Sequence, residues 1–121
     1  MNKLILISIP LFLIHAIEEY STGFYNSDNT IVFLGKVSNI DPVLIFFLLQ
    51  ILLVAFLVFL LASKGRLRKT GVIIFGLVLL LELSHPVAGL IQGSYVPGLY
   101  TSLLILAIGI PYFYKSRFEF E

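Results

Sequence analysis

The sequence predicts an all-α, polytopic membrane protein: a four-transmembrane-helix bundle with kinked helices and a polar pocket in the outer half of the bilayer. Three observations predict it. Hydrophobic residues make up 59% of the 121 residues and charged ones only 12%, and the mean hydropathy is +1.02. A soluble domain is about 45–50% apolar and about 25% charged, and one of this size buries only about two-thirds of its unfolded surface. The apolar residues also gather into four runs of spanning length, and the positive charges favour alternate connections between those runs. Net charge is +1 and there is no cysteine, which excludes a nucleic-acid partner, a disulfide scaffold and thiolate chemistry.

The first span, 4–20, follows Lys3 and resembles a signal peptide in its apolar stretch. No small-x-small cleavage pattern follows, and Glu18 and Glu19 stand where cleavage would fall, so an uncleaved helix is expected. The second, 43–62, has Gln50 as its only polar member; about 20 residues at 1.5 Å each cross a hydrocarbon core of about 30 Å. Asp41-Pro42 ahead of it reads as an N-cap and first helical residue. The third, 71–92, is interrupted by Glu82, Ser84 and His85, and the fourth, 98–114, carries Thr101 and Ser102 near its start. Tyr112 and Tyr114 suit an interfacial aromatic belt. Pro10, Pro86 and Pro111 each remove a backbone donor and predict kinks, Pro86 by freeing the Glu82 carbonyl.

Lys3, Lys64, Arg66, Arg68, Lys69, Lys115 and Arg117 fall on one side of this arrangement, and only Lys36 on the other. The positive-inside rule then gives a multi-pass protein of the cell membrane with both termini cytoplasmic. The outer connection, 21–41, is polar first and apolar at 31–34. Residues 31–37 are either a short interfacial or lid segment or an apolar patch on a loose loop.

Polar residues within the spans share a depth. Counted from the inner ends, His15, Glu18, Glu19, Glu82 and His85 fall within one slab about 8 Å thick. Gln50 reaches nearly the same level, with Thr101 and Ser102 just above. His15, Glu18 and Glu19 share a helical face, and Glu82, His85, Gly89 and Gln92 form a second stripe. Facing stripes place His15 near Glu82 and Glu18 near His85. An acidic residue at the centre of a span costs about 2.5–3.5 kcal/mol on the insertion scale. A fold is stable by only about 5–15 kcal/mol in all, so three unpaired glutamates without a role are disfavoured.

His15-Ala16-Ile17-Glu18-Glu19, the second histidine His85, and Tyr95-Val96-Pro97-Gly98 follow one another in order across nearly the whole chain. This pattern resembles the HXXEE-motif family of small bacterial integral membrane proteins. The resemblance implies which residues matter and leaves their activity open, because the family has no assigned function. Pro97 suits a first helical position and Gly98 permits close approach of another backbone or a ligand. The amides of Gly98, Leu99 and Tyr100 form a potential anion or oxyanion site. Alternatively, Tyr95 and Pro97 only shape a tight re-entry turn.

Two histidines and three carboxylates suit zinc or another divalent metal. The ligand set expected is His15, His85 and one of Glu18 or Glu82, with Glu19 or the remaining glutamate as general base on a bound water. With a metal the expected enzyme is a hydrolase. Without one, the cluster is a proton relay for an isomerase, a desolvated glutamate (Glu18, Glu19 or Glu82) acting as acid and a neighbouring histidine as base in proton-shift isomerisation or cyclisation. Neither H-E-x-x-H nor the double E-x-x-H of helix-bundle di-iron sites is present. Gln50, Tyr95, Gly98 and Thr101 are the expected substrate-side residues, toward a lipid-like or isoprenoid substrate in the outer half of the bilayer. Membrane lipid is the expected partner, together with a second copy in a homodimer. Two other classes stay open: a small proton- or cation-coupled transporter, and a structural protein with a buried polar network.

Overall fold

The apolar runs fold as helices, and short connections turn each back along its neighbour. The computed structural model describes residues 1–119. In order it contains α1 (Asn2–Ser21), α2 (Phe24–Ser27), α3 (Asn29–Ser38), α4 (Pro42–Ala62), α5 (Gly65–Leu81), α6 (Ser84–Gln92) and α7 (Leu99–Ser116), then a 3₁₀ turn, Arg117–Glu119. No strand occurs among the described residues. Three helical stretches are long and apolar enough to cross a membrane: Asn2–Ser21, Pro42–Ala62, and α5 with α6 as Gly65–Gln92. α1 packs against α4 on one side and α7 on the other, and α7 packs in turn on α5 and α6.

Local chemistry sets the boundaries. Asp28 caps α3 by accepting from the amide of Ile31 at 2.9 Å, and Asp41 caps α4 by accepting from Val43 at 2.8 Å, with Pro42 just inside the helix. Asn39, at φ 55°, ends α3 in the left-handed region. The connection 21–41 is therefore mostly helical. Ile31 of α3 joins Ile45 and Phe46 of α4 in a small buried cluster, against which Ala16, Phe24 and Tyr25 pack.

The helix that begins at Gly65 breaks at Glu82 and Leu83 and resumes at Ser84. The break lies one turn before Pro86, whose ring nitrogen has no hydrogen for the Glu82 carbonyl. Leu83 donates instead to Leu80 at 3.1 Å, and the ladder resumes with Val87 donating to Leu83. α1 and α7 run through Pro10 and Pro111 without a break in the helix.

The main core is filled by Ile5, Phe12, Leu57, Leu60, Val72, Phe75, Leu79, Ile105 and Tyr112, all buried. The outside is also apolar: Leu6, Ile17, Leu52, Leu81, Leu90 and Ile110 are each more than half exposed. Apolar side chains on both the inside and the outside of a bundle suit a hydrocarbon surround and would be costly in water.

Candidate metal centre

α1 places His15 and Glu19 one turn apart on one face, and the α5–α6 break places Glu82 and His85 opposite them. These four side chains meet. His15 Nε2 lies 3.3 Å from Glu19 Oε1 and 3.2 Å from Glu82 Oε2. His85 Nε2 lies 3.5 Å from Glu19 Oε1 and 4.0 Å from Glu82 Oε2. The two rings stand edge to face with centroids 5.1 Å apart. All four residues are buried, between 3% and 9% exposed. His15, Glu19 and His85 bring one ligand atom each within 4.8 Å of one another and could hold a metal ion. Glu82 Oε2 is buried without a hydrogen-bond partner, so it remains a free acceptor at the edge of this group.

The far sides of the rings are held as well. His85 Nδ1 lies 2.7 Å from the Pro97 carbonyl oxygen, which can only accept, so that nitrogen carries the hydrogen. His15 Nδ1 lies 2.6 Å from Thr101 Oγ1. Gln50, from α4, donates to the second oxygen of Glu19 at 3.4 Å. Phe12 and His15 stand edge to face (6.4 Å between centroids), and Phe24 of α2 packs on His85 at 5.5 Å. Gly98, at φ +82°, presses on both rings: a Cβ there would lie 2.8 Å from His15 Cε1 and 2.9 Å from His85 Cε1. Glycine is thus required both by its backbone and by the space.

Glu18 sits elsewhere. It accepts from the Tyr95 hydroxyl at 2.6 Å, the Tyr100 amide at 3.2 Å, the Thr101 amide at 2.9 Å and the Thr101 hydroxyl. The expected juxtaposition of Glu18 with His85 is corrected: Glu19 takes that place. Neighbouring helical residues diverge by about 100°, and shared depth alone does not tell which of two adjacent glutamates faces a neighbouring helix. The expected anion site at the start of α7 is corrected too. The Leu99 amide bonds Val96, and the next two amides hold Glu18, so this chain supplies its own anion. Partial burial and the Glu18 carboxylate push the Tyr95 phenol up from its ordinary pKa.

The four residues expected on the substrate side all touch the cluster or its supports: Gln50 on Glu19, Tyr95 on Glu18, Gly98 on both rings and Thr101 on His15. Two contributors were not anticipated. The Pro97 carbonyl is a backbone group and leaves no mark of its own in the sequence. Phe24 lies in the connection, where the apolar pair Phe24-Tyr25 among polar residues was the one available sign. Beside the cluster, α1 and α4 flank an open apolar groove of about 710 Å³ lined by Leu13, Ala16, Ile17, Phe47, Ile51 and, among others, Gln50.

A family model described as a protein of unknown function with HXXEE motif matches residues 6–112. No curated protein and no solved structure matches the chain. The matched stretch holds His15, Glu18, Glu19, Glu82, His85 and the 95–98 turn, and the chain belongs to the HXXEE-motif family.

Proposed function

We propose that this chain is a membrane-embedded metal-dependent hydrolase. His15, Glu19 and His85 hold a divalent cation, zinc for preference, and Glu82 stands beside it as a general base or fourth ligand. The observation that carries the reading is the convergence of His15 Nε2, His85 Nε2 and Glu19 Oε1, with both Nδ1 atoms engaged behind them. Zinc–ligand distances of about 2.0–2.1 Å imply edges of about 3.3 Å between neighbouring ligand atoms of a tetrahedron. The separations of Glu19 Oε1 from the two ring nitrogens, 3.3 and 3.5 Å, are of that size. Histidines that bind metals typically present their other nitrogen to a carbonyl or other acceptor, and their carboxylate partners are themselves hydrogen-bonded. His15, His85 and Glu19 follow this pattern.

Three protein ligands leave a position for water, which the cation would acidify. Glu82 Oε2, buried and without a hydrogen-bond partner, is placed to take its proton. The hydrocarbon part of a lipid-like substrate fits the α1–α4 groove, whose Gln50 touches Glu19. In this reading α7 is the fourth span and both termini face the cytoplasm, as the positive-inside rule gives. The apolar packing below the cluster supports an enclosed site over a through pathway.

The test is elemental analysis of the protein purified in detergent, beside a variant with His15→Ala and His85→Ala. Roughly one zinc per chain in the parent, lost in the variant, is the expected result. A parent free of metal after purification and after incubation with zinc, manganese and iron would sink the proposal.

A further inference from the structure

We infer that Glu18 is a positioning residue: acting through the Thr101 hydroxyl, it keeps a proton on Nδ1 of His15 and so directs Nε2 to the metal. The inference rests on the metal reading for its purpose and on hydrogen-bond geometry for its substance.

A threonine hydroxyl has one hydrogen to give and two lone pairs to offer. Thr101 Oγ1 has two neighbours, Glu18 Oε2 on one side and His15 Nδ1, at 2.6 Å, on the other. The direction of the chain follows from Glu18. Its two oxygens already meet the Tyr95 hydroxyl, the Tyr100 amide and the Thr101 amide. The two amides can only donate, and so many donors favour the ionised carboxylate, which has no hydrogen of its own and takes the Thr101 hydrogen as well. Thr101 then has only lone pairs for His15, and the hydrogen between them belongs to Nδ1. Nε2 is left with its lone pair toward Glu19 Oε1 and Glu82 Oε2, where a cation would be held. On His85 the Pro97 carbonyl does the same work without a relay.

The arrangement gives every fixed position of the two motifs a task. His15 and Glu19 face the metal and Glu18 sets the proton through Thr101. Tyr95 holds Glu18, Pro97 orients His85, and Gly98 admits both rings. The two glutamates of H-x-x-E-E therefore differ in kind, one being a ligand and the other acting only through a neighbour.

The chain has two histidines, so ¹⁵N-histidine NMR in detergent resolves each ring. In the parent, Nδ1 of both rings should carry a hydrogen, with or without added zinc. A His15 that is bare at Nδ1 overturns the inference without any variant being made. Thr101→Val, nearly isosteric, should strip that hydrogen from His15, leave His85 unchanged, and weaken zinc binding about 10–100-fold, the usual effect of losing such a support. Thr101→Ser should restore both properties. Unchanged His15 Nδ1 signals in Thr101→Val, or failure of serine to rescue, also overturns it. Should Thr101→Val not fold, Glu18→Ala offers the same readout, since a Thr101 hydroxyl without its carboxylate acceptor is free to turn its hydrogen toward Nδ1. A parent with the expected proton positions but no affinity for zinc would refute the metal reading and leave the relay standing.

Discussion

Glu18 and Glu19, adjacent in the sequence, serve different partners: Glu18 Oε2 takes the amide of Thr101 at 2.9 Å, whereas Glu19 Oε1 lies 3.3 Å from His15 Nε2. One carboxylate joins α1 to the start of α7, and the other faces the histidine pair. Substitution should separate these roles.

Glu18→Gln should lower the melting temperature in detergent, because hydrogen bonds to a charged acceptor contribute about 1.5–3 kcal/mol. Glu19→Gln should melt within a few degrees of the metal-free parent and fail to retain zinc. Melting curves beside metal analysis check both. Equal loss of stability in the two variants would contradict the division.

Gly98→Ala should be among the most damaging single-methyl additions in the chain. The left-handed backbone costs a residue with a Cβ about 1–2 kcal/mol, and the methyl also meets both histidine rings. Expression level, melting temperature and zinc content should all fall. Gly23→Ala, which has a similar φ but nothing within 4 Å of its Cβ, isolates the backbone contribution and should retain zinc.

Glu82→Gln should raise the melting temperature of chelator-treated protein, because it puts a neutral amide in place of a buried ionisable carboxyl group whose Oε2 lacks a hydrogen-bond partner. The same change should shrink the additional stability conferred by zinc. Melts with and without chelator measure that difference. A Gln variant less stable than the parent in chelator would show that the carboxylate is satisfied by protein groups alone.

Single cysteines test the proposed topology, since the chain has none of its own. A membrane-impermeant maleimide added outside should label cysteine at Ser27 and miss it at Ser63. The reverse pattern would invert the orientation.

Much of the helical layout was legible because apolar runs of spanning length leave little choice of secondary structure, and Asp41-Pro42 marked the start of α4 to the residue. The meeting of His15 with Glu82 could be read from depth and phase together. Two things could not. A one-residue step around α1 decides whether Glu18 or Glu19 faces His85, and that rotation depends on how α7 seats against α1. The fate of the α7 amides likewise depended on a carboxylate 83 positions away. Pro86 was readable as a disruption, yet the helix opens a turn earlier, at Glu82 itself.

The contact between Thr101 and His15 spans 86 positions, which bears on how the chain is assembled. A ribosome delivers α1 long before α7 exists, so Glu18 leaves the exit tunnel without any of the four donors that later surround it. Until the 95–101 segment arrives, the acidic end of α1 has better partners in water than in lipid and should linger at the bilayer surface. In the proposed topology, closure of α7 onto α1 would draw that end inward, so that the final insertion step and the formation of the site would be one event. A nascent chain stalled before Tyr95 should then remain open to proteolysis near Glu18.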